Sequence, residues 1–233
     1  MTEAGHVVEV ATPQGPGRFH VREAREPAAL LVLGHGAGGG VDAADLLALA
    51  RQLPDEGVTV LRFEQPWRVA GRKVAVRPPL LDEAWLAALA PVAALLGPGL
   101  PLVVGGRSAG ARVACRTAAA VGAVGVVCLS FPLHLPGRPE SSRLPELLTP
   151  SVPRLVLQGT RDTFGSAAEV RDVLAAPGGG PPGGVRVVEL DGADHGGRVL
   201  RAAVPTASQL RGQVVSTTAA FVAELVAGQG IPA

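Results

Sequence analysis

The chain has 233 residues, 47% of them hydrophobic and 18% charged, enough apolar material for one globular domain with a substantial core. Its 21 basic and 20 acidic residues leave a formal net charge of +1, which argues against a nucleic-acid partner, because phosphate binding shows as a clustered basic excess. A small molecule or a protein is the expected partner.

Short apolar runs alternate along the chain with longer amphipathic ones, the pattern of a mostly parallel sheet covered by helices on both faces. Residues 1–6 carry no basic stretch and no apolar run suited to a signal peptide. Strands are predicted over 6–11, 18–21 and 29–33, the last a continuous Leu30-Leu31-Val32-Leu33 run that suits a strand buried on both faces. A glycine loop, 34–40, leads to a predicted helix over 42–53, a strand over 58–63 and a loop over 65–72. The uncharged stretch 86–106 is about long enough to span a bilayer. Its Gly97-Pro98-Gly99-Leu100-Pro101 break divides it instead into the end of a helix over 80–96 and a buried strand over 102–104. A helix over 109–120, strands over 124–129 and 154–158, a helix over 166–175, a strand over 185–190 and a final helix over 206–226 complete the order. That helix carries Leu210, Val214, Phe221, Val222 and Leu225 as a core-facing stripe. The Pro/Gly run 177–184 reads as a flexible loop. Cys115 and Cys128 match no metal spacing and read as buried reduced thiols, from which a cytoplasmic address follows.

Gly106-Arg107-Ser108-Ala109-Gly110 is a G-x-S-x-G directly after a predicted strand and directly before a predicted helix. In so glycine-rich a chain the pattern alone is a weak signal; its strand–turn–helix setting gives it weight, because the sharp turn lifts the Ser hydroxyl clear of the sheet and crowds its neighbours. A hydroxyl needs a base, and in this chain order the His comes last. Of the two His after Ser108, His134 precedes every later Asp, whereas His195 follows the last strand, so His195 is the expected base. No Asp intervenes between Ser108 and Asp162, which stands just after a strand and is the expected acid; Asp194 ranks behind it, since adjacency to His195 rarely lets a carboxylate meet the imidazole plane. The loop Gly34-His35-Gly36-Ala37-Gly38-Gly39-Gly40 lies where oxyanion donors belong, so the backbone N–H groups of Ala37 and Ala109 are the candidates, with His35 tying the loop. Substrate contacts are expected from Arg68, Arg72, Trp67 and His134. Arg107 and Arg161 flank the nucleophile and the acid, and with Arg68 and Arg72 they suggest an anionic substrate held by a guanidinium. No metal, cofactor or membrane is called for, and no oligomeric state is specified.

Two other readings compete. Gly34, Gly36 and Gly39 satisfy G-x-G-x-x-G after a strand, with Glu64 as a ribose-binding acid, but two strands precede the loop and Ser108, Asp162 and His195 are left unexplained. A hydrolase-fold scaffold used only for protein contacts is the other, and the complete Ser, Asp, His order argues against it.

Residues 105–110 (Gly-Gly-Arg-Ser-Ala-Gly), 131–140 (Phe-Pro-Leu-His-Leu-Pro-Gly-Arg-Pro-Glu) and 158–165 (Gln-Gly-Thr-Arg-Asp-Thr-Phe-Gly) resemble the α/β-hydrolase superfamily. They look most like a compact branch related to dienelactone hydrolases, which includes a testis-expressed protein and the third subunit of a histone-acetyltransferase complex. The resemblance implies one α/β-hydrolase domain over 1–233, with a mostly parallel eight-stranded sheet, helices on both faces and no large lid domain. It carries the nucleophile, acid and base onto Ser108, Asp162 and His195. Ala109 departs from it, since many relatives have a larger residue such as Met there; the change widens the site and keeps the backbone donor. With only about twenty residues, 131–152, where lipases insert a lid, the site is expected to be open and suited to soluble esters or thioesters, with Leu135, Leu144, Leu147 and Leu148 as a small apolar rim.

Overall fold

Alternation decides which way each strand faces, and in β3 (Ala29–Gly34) it buries every residue: Leu30 and Val32 enter one apolar cluster while Ala29, Leu31 and Leu33 enter another on the opposite side. The computed structural model describes residues 5–92, 99–176, 184–201 and 204–229. The other strands are β1 (His6–Val10), β2 (Gly17–Arg22), β4 (Val58–Glu64), β5 (Leu102–Arg107), β6 (Gly125–Leu129), β7 (Arg154–Gly159) and β8 (Val185–Leu190). They form one eight-stranded sheet in the order β1-β2-β4-β3-β5-β6-β7-β8. Only β2 runs against the rest, pairing antiparallel with β1 and β4, while all pairs from β4 through β8 are parallel.

Each cluster is closed by helices. On one face lie α2 (Pro66–Val69), α3 (Pro78–Leu89), α4 (Ala109–Thr117), α5 (Leu144–Leu148) and α6 (Ala167–Ala175), contributing Trp67, Trp85, Val113, Leu147 and Val170. On the other, α1 (Ala44–Gln52) and α7 (Ala207–Gly228) contribute Leu46, Leu49, Leu210, Val214 and Phe221. Each such fully buried side chain contributes about 1.5–3 kcal/mol. Capping boxes start α6 (Ser166 with Glu169) and α7 (Thr206 with Gln209). Among the described residues, no helix is long and apolar enough to cross a membrane.

All eight predicted strands are present, with ends displaced by up to three residues. The predicted helix over 80–96 begins two residues early, at Pro78; its residues 93–96, like 177–183 of the Pro/Gly run and residues 1–4, lie outside the described residues. Three short elements were not expected. Pro66 opens α2 inside the predicted loop because a proline suits a first helical turn that needs no N–H partner. A 3₁₀ turn, Leu53–Glu56, ends on Gly57 at φ 76°, and α5 takes Leu147 out of the expected apolar rim and buries it completely.

The chain goes from β3 to β4 on one side and then returns across β3 to β5 on the other. Strand order reverses there, so the loops beyond the carboxyl ends of β3 and β5 diverge and leave a crevice between them.

Candidate active site

Ser108 is the single residue between β5 and α4, at φ 51° and ψ −111°. A side chain rarely occupies that region, and the strain, of the order of 1–3 kcal/mol, persists only because the surroundings enforce it. The Ser108 N–H donates to the Leu129 carbonyl at 2.9 Å. Glycines hold α4 against the sheet: a Cβ on Gly110 would lie 2.3 Å from the Gly34 carbonyl oxygen, and one on Gly106 would lie 2.5 Å from the same oxygen.

His195 lies in the loop after β8. Its Nε2 is 2.9 Å from Ser108 Oγ, and its Nδ1 is 2.8 Å and 3.0 Å from the two carboxylate oxygens of Asp162. A carboxylate only accepts, so Nδ1 carries the proton and Nε2 presents its lone pair to the Ser hydroxyl. The Asp162 side chain is fully buried. It also accepts from the Phe164 N–H at 2.8 Å and from Gln158 Nε2 at 3.0 Å. The Phe164 ring stacks on the imidazole at a centroid distance of 4.2 Å. Neither Gln158 nor Phe164 was singled out from sequence; the signal available was their place beside Asp162 in the 158–165 segment. Asp194 is occupied elsewhere: its carboxylate accepts from the Arg198 N–H at 2.8 Å and closes a turn of the His195 loop.

The loop after β3 bends over this crevice. His35 is buried and donates Nδ1–H to the Gly36 carbonyl at 2.9 Å, while its Nε2 accepts the Gln65 N–H at 3.2 Å, so the ring ties the loops after β3 and β4 together. Burial holds its pKa below the usual 6.5 and keeps it neutral. Ala37 and Ala109 line one small cleft together with Gln65, Trp67, Leu81 and Trp85. Ala109 is the first residue of α4, where backbone N–H groups have no partner within the helix. Trp67 is nearly buried and packs on His35 at 5.5 Å between centroids. Three buried polar atoms of this wall, Gln65 Oε1, Trp67 Nε1 and Trp85 Nε1, have no hydrogen-bond partner.

The remaining candidates fall in three environments. Arg68 and Arg72 are exposed on and just after α2; Arg72 lines a second depression beside Trp67. His134 is buried, with Nδ1 2.9 Å from the Leu135 carbonyl and Nε2 3.3 Å from Glu169. Arg107, which flanks the nucleophile in sequence, is largely buried, bonded to Asp45 of α1 and to the His195 carbonyl. The rival role for Glu64 meets a direct obstacle, since its carboxylate lies 3.2 Å from His20 Nε2. The helix after the glycine loop starts only at Ala44, five residues past Gly39, whereas the dinucleotide fingerprint opens its helix directly. Among the described residues, no group of three or more His, Cys, Asp or Glu is arranged to hold a metal ion.

No curated protein matches the chain. Among solved structures it is similar to a lid-less α/β serine hydrolase from Xanthomonas campestris, at 20% identity with 100% of this chain and 98% of that one covered and a TM-score of 0.70. An α/β serine hydrolase homologue from Coxiella burnetii is similar at 19% identity, with 93% and 98% covered and a TM-score of 0.69. An esterase from Pyrobaculum calidifontis follows at 18% identity, 94% and 87% covered, and a TM-score of 0.65. These likenesses agree on the fold. Residues 27–223 match the family model described as an alpha/beta hydrolase domain, and the chain therefore belongs to the α/β-hydrolase family.

Proposed function

We propose that the chain is a serine hydrolase that cleaves a small soluble ester or thioester through an acyl-enzyme on Ser108. The observation that carries this reading is the continuous bonded series Asp162–His195–Ser108, ending on a hydroxyl held at a strained turn. In the reaction Ser108 Oγ attacks the substrate carbonyl carbon as its proton passes to His195 Nε2, while Asp162 fixes the tautomer and stabilises the imidazolium. The oxyanion that forms is held by the N–H groups of Ala37 and Ala109. Collapse expels the alcohol or thiol, which takes the proton from Nε2. Water, deprotonated by the same nitrogen, then attacks the acyl carbonyl, and collapse releases the carboxylic acid as Ser108 Oγ takes the proton back from His195 Nε2. The resemblance to the dienelactone-hydrolase-related branch agrees with this assignment. Substitution Ser108→Ala is expected to abolish hydrolysis of p-nitrophenyl acetate in a protein that still unfolds cooperatively; turnover near that of the parent would end the reading.

The substrate we propose carries a negative charge. Arg68 and Arg72 are both exposed, Arg68 next to Trp67 in α2 and Arg72 lining a depression that Trp67 shares, and Trp67 also forms part of the cleft with Ala37 and Ala109. A guanidinium there can take a carboxylate through two parallel hydrogen bonds. kcat/KM for an ester with a free carboxylate is expected to exceed that of its methyl-capped analogue, with the advantage shrinking as salt rises. Arg68→Ala with Arg72→Ala removes the preference and spares the neutral ester. Equal rates for the two esters in the parent would refute the charge assignment alone.

A further inference from the structure

The His195 loop runs from the end of β8 at Leu190 to the start of α7 at Ala207 with no regular element among its described residues. Its own bonds keep it folded on itself and on the loop after β7: the Gly197 N–H donates to the Asp194 carbonyl, the Arg198 N–H to the Asp194 carboxylate, and the Arg161 N–H to the Ala193 carbonyl. None of these bonds sets the distance from the imidazole to the nucleophile. Asp162 and Phe164 hold the imidazole itself, while the main chain of His195 is tied to Arg107, the last residue of β5 and the neighbour of Ser108: one guanidinium nitrogen donates to the main-chain carbonyl of His195, another to the Asp45 carboxylate. The pair is nearly out of solvent, with side chains 12% and 14% exposed. A guanidinium so buried requires an anion, and Asp45 supplies it from the first turn of α1, where its other oxygen accepts the Leu46 N–H at 2.9 Å.

We propose that Arg107 and Asp45 are positioning residues that latch the His195 loop to the end of β5 and so set the Ser108–His195 separation. The proposal rests on the serine-hydrolase reading and adds to it. Asp45 anchors the guanidinium; the guanidinium anchors the backbone of the residue whose side chain serves Ser108. Arg107 is thereby committed within the protein and takes no part in binding the substrate.

The test compares the parent with Arg107→Lys, Arg107→Gln, Asp45→Asn and the Arg107→Gln/Asp45→Asn double variant, each first shown to unfold cooperatively in urea. For p-nitrophenyl acetate, kcat is expected to fall about 10- to 100-fold in Arg107→Gln with KM within about twofold, because an ångström of misplacement is felt in the chemical step rather than in binding. Labelling of Ser108 by a fluorophosphonate slows by the same factor. Arg107→Lys, which keeps the charge but not the two-headed reach, recovers part of the loss. Asp45→Asn loses kcat as well, and the double variant is no worse than Arg107→Gln, since both changes break one latch. Parental kcat and labelling rate in folded Arg107→Gln, or a raised KM with unchanged kcat, would overturn the proposal. Should the Arg107 variants fail to fold, the near-isosteric Asp45→Asn decides: parental kcat there also overturns it. Absence of fluorophosphonate labelling in the parent would instead defeat the underlying hydrolase reading.

Discussion

Replacing Gly110 by Ala tests how closely α4 must approach the sheet. The added Cβ would sit 2.3 Å from the Gly34 carbonyl oxygen and 2.4 Å from its carbon, both main-chain atoms of β3 that no rotamer change can move aside. Ordinary contact begins near 3.4 Å, so the first turn of α4 must retreat by about 1 Å. Overpacking of this kind costs about 1–3 kcal/mol, against a net stability of roughly 5–15 kcal/mol for a typical domain, so the variant is expected to fold with a lowered urea midpoint. The same retreat carries Ser108 and the Ala109 N–H out of register with His195 and Ala37, and a 1 Å error is worth about 100-fold in rate. Gly212→Ala is the control: nothing lies within 4 Å of its Cβ on α7, and replacing a helical glycine should stabilise by up to about 1 kcal/mol. Urea unfolding and p-nitrophenyl acetate turnover measure both. A Gly110→Ala protein as stable and as active as the parent would refute the close-packing argument.

Asp162→Asn should lower kcat by about three to four orders of magnitude by favouring the wrong imidazole tautomer, whereas Asp194→Asn, whose parent carboxylate serves Arg198, should cost far less; steady-state kinetics on the two variants gives the ranking. His35 has its pKa lowered by burial, so the folded state binds fewer protons than the unfolded one. Its contribution is fully present above about pH 6.5 and is lost as pH falls below that value, and His35→Gln should flatten this part of a urea-midpoint-versus-pH curve. Cys115 and Cys128 are buried with their sulfurs 3.5 Å apart, and the hydrogen bond between them together with burial pushes the Cys128 thiol up. A thiol reagent at pH 8 should therefore find neither in the native protein and both after denaturation.

The strands were legible because a parallel sheet covered on both faces writes itself as unbroken Val and Leu runs, as in Leu30-Leu31-Val32-Leu33, and because turns separate those runs. The proximity of Ser108, Asp162 and His195 was legible from chain order: each follows the carboxyl end of a strand, and parallel strands bring those ends to one edge. Side-chain pairing was not. The partner of Arg107 could not be read, because Asp45 stands 62 residues away and no local pattern links a strand end to the first turn of a distant helix. Gln158, which holds Asp162, reads in sequence as one polar residue closing an apolar strand. The helix at Pro66 is too short to show a period, and the burial of Leu147 depends on where α5 docks rather than on its own neighbours.

Covalent labelling reaches the central claim most directly. The parent protein treated with a fluorophosphonate should gain the mass of one phosphonyl group, located by peptide mass spectrometry on Ser108, and His195→Ala should slow that gain by orders of magnitude because the hydroxyl then lacks its base. An unmodified Ser108 in the folded parent, or labelling that proceeds equally fast without His195, would contradict the account.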